Sequence, residues 1–289
     1  MRRFSADYLE RTREGMWADS REALADLDLA NRERVVDVGS GTGELTRVLA
    51  DEAAPETEVV GVDADPDLLA VAGDATDGPV LAGDATRLPL RDGVADLVVC
   101  QALLVNLPEP REAIREFARV SSDLVAAVEP DNADVGVEST VDAEAPLEAE
   151  VRAAYLDGVA TDVALGDRAR ELFTAAGLSD VRTRRYHHEK RVEPPYDEGD
   201  LQDAARKASG AGLADHETEL RRALGDEGYD DVRRRWREMG REVVRAMQEE
   251  RYRRVELVPF DVTVGRVPAA TGNGSEDGAG PPNRSPGEN

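Results

Sequence analysis

Short runs of apolar, mostly β-branched residues alternate with helix-like segments in the first half of this 289-residue chain. We predict five strands from these runs, at Arg34–Val38, Val59–Asp63, Val80–Ala82, Leu97–Cys100 and Leu124–Val128. Helices are predicted between them, over Glu44–Asp51, from Pro66 to about Ala72, and over Pro110–Val120. Strands that are apolar on both faces and separated by helices are typical of a parallel sheet covered on each side. The alternation therefore predicts an α/β fold.

The first predicted strand runs directly into a glycine-rich turn, Asp37-Val38-Gly39-Ser40-Gly41-Thr42-Gly43. Glycine adopts the dihedral angles of such a turn and leaves room for a ligand against the main chain. The third glycine lacks the two-residue gap that precedes it in dinucleotide sites, and no Lys-Ser or Lys-Thr pair follows. The turn thus predicts a ligand site at the first crossover of the sheet and excludes a P-loop.

Polar residues also mark the ends of the next three predicted strands. Asp63 ends the second strand, Asp84 follows the third, and Gln101 follows the fourth. Asp63 lies twenty residues beyond Gly43, where an acid can accept hydrogen bonds from ribose hydroxyls and disfavours a 2′-phosphate. Because the carboxyl ends of parallel strands meet at one edge, these side chains are expected to share a ligand site.

Five motifs together resemble a known family, and they lie at Asp37–Gly43, Gly61–Asp63, Gly83–Leu90, Asp96–Val99 and Leu103–Pro110. Over about residues 30–130 the chain resembles the class I S-adenosylmethionine-dependent methyltransferases, most closely the small type 11 group. The resemblance implies a Rossmann-like, seven-stranded, mostly parallel sheet whose last strand is antiparallel. Predicted strands at 181–188 and 255–267 agree with its later strands. S-adenosyl-L-methionine is the implied cofactor.

The resemblance implies cofactor contacts at eleven positions, which are Asp37, Gly39, Ser40, Gly41, Thr42, Gly43, Asp63, Ala64, Asp84, Ala85 and Gln101. The glycine turn would lie along the methionine part of the cofactor, with Asp37 orienting the site for its amino group. Gln101 would hold the same end through its backbone. At the other end, Asp63 would bind the ribose hydroxyls.

Adenine contacts are implied at three of these positions. Ala64 would pack beside the ring, Asp84 would accept from the adenine amino group, and the Ala85 amide would donate to the ring. These motifs specify the cofactor, whereas the methyl acceptor is not specified by any of them.

No catalytic residue is assigned from the sequence. Asn106 stands where many relatives carry a histidine, so a histidine base is not expected there. Glu129, after the fifth strand, is a candidate base, and Asn106 is a candidate positioning group. Tyr8 and Trp17 are candidates for shielding the site. For each of these four residues a structural role is the favoured interpretation.

The histidines and the cysteine are interpreted structurally. His187 and His188 are adjacent on a predicted strand, so one side chain points inward, and a packing or surface role is favoured over a base. Cys100 is the one cysteine, which excludes an intramolecular disulfide and a multi-cysteine metal cage. We expect it to pack in the core, and no metal site is predicted.

The charge of the chain is strongly acidic, with a formal net charge of −25. Of its 36 basic side chains only two are lysines, Lys190 and Lys207. Carboxylate self-repulsion destabilises a compact state in dilute buffer. Salt near 1 M reduces the screening length to about 3 Å and so weakens this repulsion. The composition therefore favours a salt-adapted cytoplasm. It disfavours nucleic acid as a partner, because phosphate contacts need clustered basic residues.

Residues 201–254 are predicted to form charged helices. Pairs at helical spacing, such as Arg234 with Glu238, Arg245 with Glu249 and Glu250 with Arg254, favour a solvated face laced by ion pairs. The alternative is that the arginines of residues 233–254 bind RNA or a protein as the methyl acceptor.

One methyltransferase domain is expected over residues 1–267. It comprises an N-terminal helix within 1–30 (helical periodicity over 5–28), a cofactor-binding core at 31–130, and helical acceptor-side inserts at 131–165 and 195–254. Residues 143–177 also have helical periodicity, and a disordered tail is expected over 268–289. No apolar run is long enough for a membrane span, and the N-terminus is not of secretory type. The predicted protein is cytoplasmic and methylates a small molecule. A catalytically silent cofactor-binding module is the alternative from another class.

Overall fold

The computed structural model describes residues 15–166 and 168–269, together with Ala6 and Leu9. Its strands are β1 (Arg34–Val38), β2 (Glu58–Asp63), β3 (Val80–Ala82), β4 (Ala95–Gln101), β5 (Ser121–Pro130), β6 (Gly136–Ser139), β7 (Ser179–Val192) and β8 (Arg254–Arg266). Its α-helices are α1 (Met16–Asp19), α2 (Glu44–Glu52), α3 (Pro66–Ala75), α4 (Pro110–Val120), α5 (Glu144–Gly158), α6 (Arg168–Ala175), α7 (Glu198–Ser209), α8 (Ala211–Ala214) and α9 (Glu217–Gln248). Among the described residues, none of these helices combines the length and apolarity that a bilayer crossing requires.

All the described strands join one sheet, in the order β3-β2-β1-β4-β5-β8-β6, with β7 also paired to β8. Strands β1 to β5 pair in parallel, and β8 is antiparallel to both β5 and β7. The predicted α/β class and antiparallel last strand are therefore confirmed.

The sheet has one strand more than predicted. Strand β8 is longer than the part of β5 that it pairs with, since Pro130 of β5 pairs with Phe260. Residues 254–257 of β8 are thus open on that side, and β6 fills the place with an antiparallel pairing of Gly136 to Leu257. The stretch 131–165, expected to be helical, accordingly contains a short strand before α5.

Helices cover both faces of the sheet through regularly spaced apolar side chains. On α4 the buried residues are Ala113, Ile114, Phe117 and Val120, whose spacing of about one helical turn makes one stripe. They pack into a core with Phe173 of α6 and the central strands. Each large apolar side chain buried in this way contributes about 1.5–3 kcal/mol.

The described C-terminal part of the predicted N-terminal helix is wound partly more tightly than its periodicity suggested. There Met16–Asp19 are α-helical, and Arg21–Leu27 continue as a 3₁₀-helix after a break at Ser20 (φ −118°, ψ 16°). Leu24 and Leu27 are still buried, so the apolar face is correct although the winding differs. Apart from Ala6 and Leu9, residues 1–14 lie outside the described part of the chain, as does 270–289 of the predicted tail.

Residues 143–177 form two helices, α5 and α6, instead of the single helical stretch that was expected. Helix α5 ends at Gly158, where an added Cβ would lie 2.0 Å from the carbonyl oxygen of Glu219. The chain then returns to the end of β5, where Ala164 forms a bridge with Asp131. Helix α5 thus ends where the chain turns back toward the sheet.

The arginine-rich helix α9 carries ion pairs, and one of the three predicted pairs is among them. Arg234 lies 3.2 Å from Glu238, as expected. The other two predicted pairs are wrong, because α9 ends at Gln248 and the helical spacing is lost beyond it. Arg245 lies 3.9 Å from Glu242, and Arg254 belongs to β8.

A buried charge network holds the insert helices to the sheet. The Lys207 ammonium of α7 donates to Glu144 and, at 2.8 Å, to Glu148 of α5. Arg254 of β8 donates to Glu148 at 2.8 Å, and the Tyr252 hydroxyl donates to Glu144 at 2.9 Å. Glu144 is fully buried. Two carboxylates are therefore balanced by two cations in a site that excludes water.

Lys207→Met is expected to destabilise the fold by about 3–5 kcal/mol, because two buried carboxylates would share one cation. Urea denaturation at neutral pH measures the free energy of unfolding. The matched control is Arg206→Met, which removes an exposed cation paired with Asp215 and should cost at most about 1 kcal/mol. Equal effects of the two substitutions would contradict the role of the network.

Candidate functional site

A cavity of about 590 Å³ opens at the carboxyl ends of β1, β2, β4 and β5. Five of the eleven predicted cofactor residues line it, namely Gly39, Gly41, Asp63, Ala64 and Gln101. The other six lie at the same edge of the sheet but are not among the lining residues. Their cofactor contacts stay predictions.

The glycine turn approaches the cavity with its main chain. Gly39 (φ 74°) and Gly41 (φ 57°) both have the left-handed conformation and line the cavity, as the sequence predicted for a close ligand approach. Gly43 (φ 81°) has a different role, because an added Cβ would lie 2.8 Å from Thr76 Cγ2. It allows α2 to pack closely on α3. Ser40 and Thr42 are buried between the glycines.

Two acids at strand ends fix the turn. Asp63 at the end of β2 accepts from the Gly41 N–H at 2.9 Å and, through its other oxygen, from the Asp65 N–H at 2.8 Å. Asp37 in β1 accepts from the Thr46 hydroxyl at 2.7 Å. Asp63 thus joins the turns after β1 and β2. Its oxygens retain lone pairs on the cavity side, since each carboxylate oxygen can accept two hydrogen bonds.

Asp84 and Ala85 lie after β3, beside the cavity. Asp84 is exposed, and one of its oxygens accepts from the Thr86 N–H at 2.8 Å and the Thr86 hydroxyl at 2.7 Å. These bonds lower the pKa of the Asp84 carboxyl. Ala85 is buried. Asp84 therefore acts locally as a turn acid, and its contact with adenine stays a prediction.

The start of the described chain covers the cavity next to Gln101. The Trp17 indole donates to Gln101 Oε1 at 3.3 Å, and Gln101 Nε2 lies 3.2 Å from Met16 Sδ. Leu9 and Met16 line the cavity, and Trp17 is buried with its ring edge on Phe260. Trp17 itself is not among the lining residues, so its shielding role stays a prediction. Tyr8, the other candidate, lies outside the described residues.

Glu129 lies beneath the loop that follows β4. It is buried, and it accepts from the N–H groups of Leu103, Leu104 and Val105 at 3.1, 2.8 and 3.3 Å. Cys100 is buried beside it, with the thiol 3.7 Å from the carboxylate, as its predicted packing role requires. Burial raises the pKa of Glu129 to about 7, against the lowering effect of the three amides. Glu129 does not line the cavity, so it shapes the loop and does not face a ligand.

Asn106 lines the cavity at the end of the same loop. Its side-chain amide donates to the Ala102 carbonyl at 2.8 Å. Ala102 has φ 48°, a left-handed conformation that is unfavourable for a residue with a Cβ. The loop therefore holds a strained conformation between Asn106 on one side and Glu129 on the other.

The far wall of the cavity comes from the segment 131–165, which the sequence predicted to lie on the acceptor side, and from strands β7 and β8, which the sequence did not connect to the site. Its residues are Tyr155 of α5, Val163 of the following connection, His188 and Lys190 of β7, and Glu256 and Val258 of β8. The alternating pattern of β7 and β8 was available in the sequence. What was missing was their antiparallel register, which pairs His188 with Val258 and Lys190 with Glu256.

A loop after β5 completes this wall and is tied to the sheet. Arg185 of β7 donates to Asp131 at 2.7 Å and to the buried Asp261 of β8 at 2.9 Å. Next to it, Asn132 lines the cavity and donates to the Val163 carbonyl at 2.6 Å. The wall is thus held by hydrogen bonds to β7 and β8. Within the described ranges, no group of three or more His, Cys, Asp or Glu is arranged to hold a metal ion.

Glu129 is expected to make stability depend on pH. Its pKa of about 7 in the folded protein lies above the ordinary value of 4.5, so its contribution is fully present below pH 4.5. This stabilising contribution, of up to about 3 kcal/mol, is lost as the pH rises through about 7. Urea denaturation across this pH range measures the free energy of unfolding of the unmodified protein and of Glu129→Gln. The difference between the two values should change with pH. The exposed Glu112→Gln on α4 is the control, and a pH-independent difference for Glu129→Gln would contradict the assignment.

Comparison with known proteins matches the part of the chain that carries the glycine turn and Asp63. Residues 36–123 match the family model of the methyltransferase domain. The demethylmenaquinone methyltransferase of Mycolicibacterium vanbaalenii is 41% identical over 102 residues, which are 35% of this chain and 42% of that protein. That of Thermotoga maritima is 33% identical over 108 residues, covering 37% and 47%. The chain thus spans about half the length of the curated relatives that it matches, or less.

Solved structures agree on the fold across most of the chain. A candidate methyltransferase from Bacillus halodurans superposes with a TM-score of 0.50 at 16% identity, over 87% of this chain and 100% of that one. The YcgJ protein of Bacillus subtilis gives a TM-score of 0.50 at 17% identity, over 84% and 97%. At such identities the likeness shows the fold alone. Residues 36–123 thus match a methyltransferase domain, and the fold is a mixed α/β sheet of the Rossmann-like type.

Proposed function

We propose that this protein transfers a methyl group from S-adenosyl-L-methionine to a small-molecule acceptor. The observation that carries the proposal is the shared cavity. Gly39, Gly41 and Asp63 of the methyltransferase domain line it on one side, and residues of β7, β8 and α5 line it on the other. One site therefore offers a cofactor surface facing a separate wall for a second ligand.

The residues present fit S-adenosylmethionine. The main chain at Gly39 and Gly41 lines the cavity and leaves room for the methionine part, and the remaining lone pairs of Asp63 can accept from ribose hydroxyls. The cavity volume of about 590 Å³ is within the 300–1,000 Å³ range of small-molecule sites. When bound, the cofactor would supply a methyl group on a positively charged sulfur, and the sulfur would keep the electron pair of the S–C bond that breaks.

The chain itself has to align the acceptor and exclude water. Holding two reactants in line removes much of the entropic barrier to their reaction. Met16 and Leu9 close the cavity near Gln101, while Asn106 and Asn132 supply amide groups around the space for the acceptor. These positions support a role in orientation and shielding.

A small acceptor is favoured over RNA or a protein. The relatives are named for demethylmenaquinone, which is a small molecule. On α9, Arg235 lies 2.5 Å from Glu150 and Arg234 lies 2.5 Å from Asp231, so both charges are already paired. We also propose that the segments 131–165 and 195–254 are acceptor-side inserts. Tyr155 and Val163 of the first segment line the cavity, and α9 of the second segment packs against α5.

Asp63→Ala is expected to weaken S-adenosylmethionine binding by about 1.5–3 kcal/mol, because it removes hydrogen bonds to a charged group. This corresponds to roughly a 10- to 150-fold higher Kd. Isothermal titration calorimetry in high salt measures the difference. Asp67→Ala removes an exposed acid from the start of α3 and is the matched control.

The same titration tests the predicted adenine contact. Asp84→Ala should weaken binding less than Asp63→Ala, since a hydrogen bond at an exposed site contributes only about 0.5–1.5 kcal/mol. Equal affinities of the Asp63→Ala and unmodified proteins would refute the ribose assignment. Tight cofactor binding without turnover of any acceptor in a metabolite extract would favour a silent binding module.

We further propose that the protein works in a salt-rich cytoplasm. The support is the net charge of −25, which salt must screen for a compact state to be stable. Its melting temperature is therefore expected to rise from about 0.1 M to about 1 M KCl, as the screening length falls from roughly 10 to 3 Å. Differential scanning calorimetry measures this rise, with sucrose of equal osmolality as the uncharged control. A melting temperature that KCl does not raise above the sucrose value would contradict the proposal.

A further inference from the structure

One face of the β7–β8 ribbon forms a wall of the cavity that is polar at one end and apolar at the other. Along β8, Phe260, Val258 and Glu256 line the cavity, and their partners on β7 include His188 and Lys190. Alternate residues of a strand point to the same face, so the ribbon places these side chains in one row. The row runs from buried Phe260 to half-buried Glu256.

His188 is the imidazole of this row, and its surroundings differ from those of its neighbour. It is 8% exposed and lines the cavity, whereas the adjacent His187 is exposed on the opposite face. The N-terminal segment packs over it, since a Cβ added at Gly15 would lie 3.9 Å from His188 Cε1. The imidazole is therefore enclosed in the same cavity as Gly39 and Asp63.

A buried imidazole in such a cavity is suited to accept a proton. Among the described lining residues His188 is the one imidazole, and its unperturbed pKa of about 6.5 lies closest to neutrality of the side chains present. An acceptor that reacts through an O–H, N–H or acidic C–H bond has to lose that proton on methylation. An acceptor such as a thioether or tertiary amine would need no base.

We propose that His188 accepts the proton of a protic methyl acceptor that lies against Val258 and Phe260. This proposal rests on the proposed methyltransferase function and names the acceptor class of that site. The acceptor atom forms its bond to the methyl carbon as the sulfur–methyl bond breaks with its electron pair left on sulfur. The acceptor proton goes to an imidazole nitrogen of His188, and solvent removes it after product release.

Other titratable groups face this cavity and set the field around His188. Lys190 and Glu256 lie one step further along the ribbon, Asp63 and Asp65 lie at the end of β2, and Tyr155 lies on α5. Comparing two ligands in one protein holds all of these groups constant.

The test compares two cofactor analogues that differ at the transferred methyl. Sinefungin carries a protonated amine there, and S-adenosylhomocysteine carries no group. Nuclear magnetic resonance of ring-labelled histidine follows the three histidines of the chain, with His187→Gln and His216→Gln used to assign them. With sinefungin bound, the measured pKa of His188 should be lower by roughly one pH unit, as a like charge within about 6 Å requires. His187 and His216 should titrate identically in both complexes.

A second measurement uses binding and a matched control. His188→Leu should weaken sinefungin at pH 8 several-fold more than S-adenosylhomocysteine, because the imidazole can no longer accept from the amine. His187→Leu should change neither Kd. If both analogues bind but His188 titrates identically with each, the proposal for His188 is overturned while the proposed function stands. If neither analogue binds, the proposed function fails and this proposal falls with it.

Discussion

Buried carboxylates that accept backbone N–H groups shape the ligand edge of this sheet. Parallel strands end at this edge with unpaired main-chain groups, which need partners once they are removed from water. Asp63 supplies two acceptors for the turns after β1 and β2, and Glu129 supplies acceptors for three consecutive amides after β4. The loops can therefore leave the sheet sharply and still enclose a cavity.

The parallel half of the fold could be predicted from local patterns. Helix α4 has the bounds that were predicted, Pro110–Val120, because proline begins it and its apolar spacing has the helical period. The five predicted parallel strands agree with those observed to within three residues at each end, since buried β-branched runs are short and end at polar residues. Of the predicted cofactor residues, Asp63 and Gly41 are joined directly by a hydrogen bond. Spacing in the sequence was sufficient to predict that they would lie close together.

The acceptor side could not be predicted in the same way, because it depends on pairings between distant residues. Tyr155 and His188 reach the cavity from a helix and a strand of the second half. Helical periodicity suggested one helix over 143–177, whereas the return of the chain to Asp131 divides it. The buried partners of Glu144 were equally hidden, since Lys207 and Arg254 are remote in sequence. The sequence gives the types of these side chains, but it does not give their positions in the fold.

Strand β5 connects the two sides through the alternation of its last residues. Val128 and Pro130 line the cavity, and Glu129 between them binds the loop after β4 from the interior. Because successive side chains of a strand point to opposite faces, one strand end can line the acceptor space and hold Leu103 and Val105 in place at once. A change at Glu129 would therefore reach the cavity through the main chain of the loop. The surface at β1 and β4 that is proposed for the cofactor and the wall of β7 and β8 that is proposed for the acceptor are thus joined through β5, which pairs with both β4 and β8.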